Sequence, residues 1–360
     1  MGEPDRTGID SVLSANIFDS FYSNSNLDLA LTVTDAKKII DRFRTGLDRE
    51  SKPNCSLCKL LHAMLDHAPC PEGKRYVASV LHAISREERT VLVVARTWLS
   101  NLFFQMLALA SLRSPASSEQ RLTIDETPVY IKRVDRTKQQ SLWDQVRLMY
   151  IISSLLFILF VSARWLSVDT ITGFVDANLD VPCFTAPRAH MKAARIMSLS
   201  LNSSDKAKTI HDLSATWDLL CNWTSIDFRD LISSDIDTPK NAIFMTRDSH
   251  SDLKKFLCYF DGDAFPELNK YMVRSVNSYT LLGMTVREVV CKFNAESSIA
   301  PPDPYLLAIH AAFAKVLHAC GAGEHLDRVL QDMERLKVLS SDCRSDIGLF
   351  LSSRLAVPTF

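Results

Sequence analysis

The sequence predicts an α+β fold in which helix predominates, and three observations support this class. Apolar residues recur at helical spacing through most of residues 30–112, which predicts an N-terminal helical bundle. Residues 171–276 read as strand, loop, strand, loop, helix and hairpin, with short β-branched runs between polar loops. Residues 300–342 return to helical spacing and predict a C-terminal pair of helices. A linker over 113–141 and an apolar helix over 142–168 are expected between the bundle and the central region.

The composition allows one large or two modest domains and limits the classes of function. The chain has 360 residues, 47% of them hydrophobic, which is enough apolar side chain for a substantial core. Its formal net charge of −1 gives no global attraction to nucleic acid, so contact with DNA requires a local basic patch. The nine cysteines are scattered, and the first residues lack the apolar run of a secretory signal. We therefore expect reduced thiols and an intracellular location, in cytoplasm or nucleus.

Four helices are predicted in the N-terminal bundle. The first begins near Thr34 as its cap, and the second is capped by Ser56. The third covers residues 75–84. The fourth runs from residue 87 to residue 112, and the sequence Ser85–Glu88 (SREE) is interpreted as its start signal.

Thiol and imidazole side chains cluster around the second of these helices. They belong to Cys55, Cys58, His62, His67 and Cys70. A Cys-x-x-Cys pair followed by further Cys or His residues is the usual signature of a small zinc site. The alternative is a helix from Ser56 on which these side chains are incidental. Its apolar face would be formed by Leu57, Leu60, Leu61, Met64 and Leu65. Because a second Cys-x-x-Cys pair is absent, we favour the helix and expect no tetrahedral zinc cluster of Cys55, Cys58 and Cys70.

The segment Leu148–Ala163 is almost wholly apolar and is flanked by Arg147 and Arg164. A membrane span needs about 20 residues, and this run is shorter. We rank a buried helix first and a single-pass membrane anchor second. A third interpretation is a translated intron or another error in the gene model.

The C-terminal helices are predicted to begin after the sequence Pro301-Pro302-Asp303-Pro304. Glycines after the first helix end it, and a second helix is expected from about Glu324 to Leu339. The stripe of the first helix consists of Leu306, Ile309, Phe313, Val316 and Leu317. His310 and His318 lie two turns apart, too far for the usual metal-binding pair on a helix, and we interpret them as ordinary helix residues.

Residues 169–280 contain four short motifs in a fixed order. These are Thr172-Gly173, Ala193-Ala194-Arg195-Ile196, Pro239-Lys240-Asn241-Ala242 and His250. Together they resemble the HNH nuclease domain of a large group of fungal proteins. In that domain a strand ending in Thr-Gly precedes an Ala-Ala-His-Ile strand, and a Pro-x-Asn segment leads into a helix with a second histidine. The resemblance implies a small ββα-metal core, and residues 300–342 resemble the helical tail that commonly follows it.

The resemblance implies roles for three residues, Arg195, Asn241 and His250. Arg195 stands where the family has its general base, a histidine; Asn241 would orient that base. His250 would bind a divalent metal, Mg, Mn or Zn, on the scissile phosphate of DNA. A guanidinium stays protonated and cannot act as a base, but it can bind a phosphate through two hydrogen bonds. No small-molecule substrate is indicated.

Three functions stay open at this point. The first is an HNH-like protein with reduced or lost nuclease activity that keeps contact with nucleic acid and needs no metal. The second is an active metal-dependent endonuclease whose base has moved, for instance to His190 or His211, with Asp237, Asp248 or Asp252 as further metal ligands. His190 is at an odd offset from Arg195 and would face the other side of a regular strand. The third is a helical interaction protein, or a protein tethered to a membrane through residues 148–163, in which the nuclease-like core is purely structural.

Overall fold

The structure is a computed structural model. It describes residues 28–51, 55–104, 106, 175–176, 188–189, 191–197, 218–226, 238–275, 288–293 and 301–324. Helices predominate in these residues, and three small sheets accompany them. The predicted α+β class with mostly helical content is therefore confirmed.

The chain divides into two compact units, each assembled from segments that are distant in sequence. The first unit comprises Met1–Leu112, Lys206–Phe228 and Lys315–Phe360, and the second comprises Arg113–Asp205 and Arg229–Ala314.

Helices α1–α5 of the first unit pack together as a bundle. They are α1 (Leu29–Arg42), α2 (Arg44–Arg49), α3 (Leu57–Asp66), α4 (Pro71–Ala83) and α5 (Glu88–Trp98), and α5 continues as a π-helix (Leu99–Phe104). α1 packs against α3 and α4, and α3 also packs against α4 and α5. Trp223, from a helical segment at residues 218–224, is fully buried in this unit, and its indole donates to the carbonyl oxygen of Met64 over 3.3 Å.

The first helix begins earlier than predicted. α1 starts at Leu29 because the Asp28 carboxylate accepts a hydrogen bond from the backbone N–H of Ala30 over 2.8 Å. Thr34 lies inside the helix, where its hydroxyl donates to the carbonyl oxygen of Ala30 over 2.7 Å. The prediction that Thr34 is the cap is wrong, because Asp28 supplies a stronger cap one turn and a half upstream.

The helix predicted from residue 87 to residue 112 begins within one residue of the predicted position, with Glu87 as its cap, but it differs in its course. The Glu87 carboxylate accepts a hydrogen bond from the hydroxyl of Thr90 over 2.7 Å. The α-helical hydrogen bonding ends at Trp98, where the π-helix follows. Its four apolar residues, Leu99, Leu102, Phe103 and Phe104, are all buried.

The helix predicted from Ser56 is confirmed as α3. Ser56 Oγ accepts a hydrogen bond from the backbone N–H of Lys59 over 3.2 Å. The whole predicted apolar face is buried. These contacts explain why the helix begins where it does without any metal ligand.

The second unit contains the strands and helix α6. The strands are β1 (Val175–Asp176), β2 (Arg188–Ala189), β3 (Met191–Arg195), β4 (Ala242–Thr246), β5 (Cys258–Asp261), β6 (Lys270–Ser275) and β7 (Glu288–Lys292). β1 and β2 are parallel, β3 and β4 are antiparallel, and β5, β6 and β7 form an antiparallel sheet in that order. Helix α6 (Arg247–Lys254) joins β4 to β5, and short 3-10 turns cover Pro239–Asn241 and Gly262–Ala264.

Two features of the second unit were not predicted. The segment expected to form one helix before the hairpin contains strand β4 as well as α6, because the apolar run Ala242–Met245 finds a partner in β3. Strand β7 extends the predicted hairpin of β5 and β6 to three strands. Both strands depend on a pairing partner outside their own segment, which local periodicity does not report.

Helix α7 (Pro304–Cys320) begins at the predicted proline. The Asp303 carboxylate accepts a hydrogen bond from the backbone N–H of Tyr305 over 2.8 Å. The predicted apolar stripe is buried, and Gly321 follows the helix with φ 78°, a conformation that glycine adopts without a steric cost. Residues 304–314 of α7 belong to the second unit and residues 315–320 to the first.

Several predicted segments lie outside the described residues. They are the linker at 113–141, the apolar helix at 142–168 with Leu148–Ala163, and the second C-terminal helix beyond Glu324. Within the described part of the chain, no helix combines the length and the apolar character that a membrane crossing requires.

Candidate functional site

Two strands and a helix of the second unit bring the predicted site residues onto neighbouring elements. β3 pairs antiparallel with β4, with Arg195 opposite Ala242. α6 follows β4 directly and packs against both strands. Arg195 therefore lies at the end of β3, Asn241 directly before β4, and His250 within α6. In chain order this β3–β4–α6 unit is strand, strand, helix; a metal-binding HNH core stays a prediction.

Asn241 connects the two strands at the end where Arg195 lies. Its side chain is fully buried. The carboxamide oxygen accepts a hydrogen bond from the N–H of Met197 over 2.9 Å, and the carboxamide nitrogen donates to the carbonyl oxygen of Met197 over 3.1 Å. The backbone adds a bond from the N–H of Ile196 to the carbonyl oxygen of Asn241 over 3.0 Å. These bonds fix the chain directly after Arg195; the role of orienting a base stays a prediction.

Arg195 occupies a half-buried position between two buried residues, Ala194 and Ile196. The alternation along β3 places Arg195 on the strand face opposite to theirs. Because a guanidinium stays charged at every pH at which the protein is folded, this position holds a fixed positive charge and no proton acceptor.

Helix α6 is fixed at its start by Thr246. The Thr246 hydroxyl oxygen accepts a hydrogen bond from the backbone N–H of Ser249 over 3.3 Å, and the two hydroxyl oxygens are 2.6 Å apart. His250 follows and is half-buried. The cap thus sets the position of the turn that carries His250.

Helix α7 supports both ends of this arrangement. The backbone N–H of Asp303 donates to the carbonyl oxygen of Lys240 over 2.8 Å, which holds the 3-10 turn that contains Asn241. His310 Nε2 lies 2.9 Å from the carbonyl oxygen of Leu253 in the last turn of α6, and the imidazole stacks on Phe256 with a centroid separation of 4.7 Å. Burial lowers the pKa of His310 to about 4, so the ring is neutral and its Nε2–H donates to Leu253. His310 is therefore a structural residue of this unit, as the sequence analysis interpreted it.

The described side chains of the β3–β4–α6 unit do not fit a divalent metal. Among the residues that the structure describes, no group of three ligand atoms within 4.8 Å of one another includes His250. Arg195, at the place of the expected base, adds a positive charge that disfavours a cation. His190, His211 and Asp237 lie outside the described residues, as does the side chain of Asp248.

The described residues do contain a different set of metal-binding atoms in the first unit. It is formed by Asp41, Cys58 and His62, whose ligand atoms lie within 4.8 Å of one another. Cys58 and His62 were among the zinc ligands considered from the sequence, together with Cys55, His67 and Cys70, whereas Asp41 was not predicted. The four-residue spacing of Cys58 and His62 on a helix was the signal available in the sequence.

Comparison with known proteins found no match among protein-family models, curated proteins or solved structures.

Proposed function

We propose that this protein is an HNH nuclease-like protein with little or no cleavage activity, which contacts the phosphate backbone of DNA through Arg195. The observation that carries the proposal is the β3–β4–α6 unit, with Arg195 held at the end of β3 by the bonds between Asn241 and Met197. The motif resemblance supplies the family, and the ββα order of the elements is what supports it.

The side chain at position 195 is the reason to expect inactivity. Hydrolysis of a phosphodiester needs a group that removes a proton from the attacking water, and loss of such a base costs a factor of about 10² to 10⁴ in rate. Arginine has no lone pair available for this role. Its charge also repels a divalent ion, so no step of the proposed function runs through a metal.

The same side chain supports binding. A guanidinium donates two parallel hydrogen bonds to a phosphate, and its orientation matters for this geometry. The buried carboxamide of Asn241 fixes the backbone next to Arg195, which reduces the entropy lost when Arg195 binds an anion. With a net charge of −1 on the whole chain, contact with DNA has to come from such a local feature.

The test is a plasmid-nicking assay on the full-length protein with Mg²⁺, Mn²⁺ or Zn²⁺. We expect no nicking above background by the wild type. Nicking by Arg195→His, in which an imidazole replaces the guanidinium, would show that the missing base is the cause of the inactivity. The double variant with Arg195→His and His250→Ala is the control and should be inactive again. Nicking by the wild type that His250→Ala abolishes would overturn the proposal.

Binding is measured separately with a labelled DNA duplex, because an inactive protein still binds. Arg195→Gln should weaken binding several-fold, since it removes the charge and keeps a polar side chain. The matched control is Arg89→Gln, which removes an exposed arginine from α5 in the other unit. Equal affinities of wild type and Arg195→Gln would contradict the proposed contact and favour a purely structural core.

A further inference from the structure

We propose that Asp41, Cys58 and His62 form a zinc site on the N-terminal helical bundle. The site is independent of the β3–β4–α6 unit, because all three residues belong to the first unit. It shares Cys58 and His62 with the zinc site considered from the sequence, but it takes Asp41 as the third ligand in place of Cys55, His67 or Cys70.

The backbone brings the three ligands together from two helices. Cys58 and His62 are one turn apart on α3, so their side chains share a helix face. Asp41 lies in the last turn of α1, which packs against α3. His62 Nε2 and Asp41 Oδ1 are 3.2 Å apart. Two ligands of a tetrahedral zinc ion at the usual bond lengths are separated by about 3.3 Å, so this pair already has the required spacing.

The donor set selects the metal. A thiolate, an imidazole and a carboxylate are the three types of zinc ligand in proteins, whereas Mg²⁺ and Ca²⁺ take oxygen ligands. Three protein ligands leave a fourth tetrahedral position for water. Cys58 is buried, with 2% of the whole residue exposed, while the side chains of His62 and Asp41 are 25% and 50% exposed. The ion therefore reaches the site from the solvent side and completes its coordination against the buried sulfur.

The other two cysteines have different surroundings. Cys70 caps α4, and its sulfur accepts a hydrogen bond from the backbone N–H of Gly73 over 3.3 Å. Cys55 is buried beside Cys320, and the thiol of Cys55 is the main cause of the raised pKa of the Cys320 thiol. Neither contributes to the group formed with Cys58.

Charged neighbours set how tightly the site binds. Arg44 donates a hydrogen bond to Asp41. The thiolate is the form of cysteine that binds zinc, so zinc binding at Cys58 releases the thiol proton: the S–H bond breaks, the sulfur–zinc bond forms, and the proton passes to solvent. Because the Arg44 side chain is 58% exposed, it can leave Asp41 when the ion arrives.

The test uses full-length protein freed of metal with a chelator and then titrated with Co²⁺ or Zn²⁺. We expect one equivalent of Co²⁺ to produce a thiolate-to-cobalt charge-transfer band, which Cys58→Ser abolishes. In competition with a chromogenic chelator, His62→Gln and Asp41→Asn should each weaken zinc binding at least about tenfold. Arg44→Gln should tighten it several-fold, because it removes a competing cation.

Matched controls are Cys70→Ser and His67→Gln, which change the same residue types outside the group and should leave the zinc affinity unchanged. Serine at position 70 keeps a cap for α4. His62→Gln and Asp41→Asn alter partly exposed side chains, so they keep the test valid if Cys58→Ser does not fold. Absence of the cobalt band in wild type, its survival in folded Cys58→Ser, or unchanged zinc affinity in His62→Gln would each overturn the proposal.

Discussion

The carboxamide of Asn241 satisfies two buried backbone groups of Met197, and no other side-chain type has both a donor and an acceptor of that shape and length at this position. Asn241→Ala leaves the N–H and the carbonyl of Met197 without this partner. Each buried polar group that loses its hydrogen bond costs about 1–3 kcal/mol, so for two groups we expect a loss of about 2–6 kcal/mol in local stability. Amide hydrogen exchange of β3 and β4, followed by mass spectrometry, measures this loss directly.

The control for Asn241→Ala is Asn222→Ala. Asn222 is exposed in the helical segment at residues 218–224, where alanine is the better helix former. We expect exchange in that segment to stay the same or slow slightly. Unchanged exchange of β3 and β4 in Asn241→Ala would show that the Met197 bonds do not hold the strand ends together.

His310 makes the stability of the second unit depend on pH. Its folded pKa of about 4 lies below the value of about 6.5 for an unfolded histidine, so the unfolded chain binds the proton more readily. The contribution of His310 to the free energy of unfolding is fully present above pH 6.5. It is lost as the pH falls from 6.5 toward 4, by about 2 kcal/mol at pH 5.

The test compares wild type with His310→Gln, which keeps a donor for the carbonyl of Leu253. Urea unfolding at pH 7.5 and pH 5 should show a correspondingly smaller loss of unfolding free energy in the variant. Burial also lowers the pKa of His67, which contributes equally to both proteins; equal losses in the two would contradict the prediction.

At the scale of elements, a close approach to α4 explains the glycine in the first turn of this helix. A side chain at Gly73 would meet the backbone carbonyl of Trp223 well inside van der Waals contact. Trp223 is held by its bond to Met64 and by edge-to-face packing against Phe103, with centroids 5.5 Å apart, so the carbonyl cannot move away easily. Gly73→Ala should therefore destabilise the protein by about 1–3 kcal/mol, although alanine is normally preferred over glycine in helices.

Gly46→Ala, in α2, is the matched comparison. A side chain there meets the carboxylate end of Glu88, an exposed and flexible side chain that can rotate aside. We expect Gly46→Ala to be neutral or to stabilise the protein by up to about 1 kcal/mol. Thermal unfolding of both variants beside wild type measures the contrast; equal effects would show that the contact with Trp223 does not decide the choice of glycine.

The elements that the sequence predicted well are those whose signals are local. Ser56 and the apolar face of α3 and the proline before α7 each depend on residues within a few positions of one another. Strand β4 was missed because its pairing partner β3 is distant in sequence, whereas β5 and β6 were found from the turn between them. The cap at Asp28 was missed because Thr34 carries the same local signal one turn and a half later.

The candidate site likewise combines residues found from local motifs with contacts between residues that are far apart in the chain. The resemblance implied roles for Arg195, Asn241 and His250; those roles stay predictions, and the structure puts the three residues on adjoining elements. The bonds of Asn241 to Met197 and of His310 to Leu253 join residues far apart in the chain, so no spacing rule reveals them. The grouping of Asp41 with Cys58 and His62 has the same origin, since it depends on the packing of α1 against α3.

At the scale of the whole molecule, the near-neutral charge governs how the proposed DNA contact responds to salt. Each phosphate neutralised by a protein cation contributes about −0.9 to the slope of the logarithm of the binding constant against the logarithm of salt concentration. A protein with about 6–10 phosphate contacts therefore has a steep slope. This chain has a net charge of −1 and would contact DNA through one local patch, so we expect a slope of only about −1 to −3. Such binding is weak at physiological salt and does not distinguish one sequence from another.

The contribution of Arg195 to this slope can be measured by itself. Fluorescence anisotropy of a labelled duplex across a range of salt concentrations should show a slope that is shallower by about 1 in Arg195→Gln than in wild type, because one phosphate contact is lost. The control is Arg89→Gln, which removes one positive charge from the other unit and therefore has the same net charge as Arg195→Gln. We expect its salt-dependence slope to equal that of wild type. A slope that falls equally in the two variants would mean that only the overall charge matters, and a slope unchanged in Arg195→Gln would mean that this guanidinium does not bind phosphate.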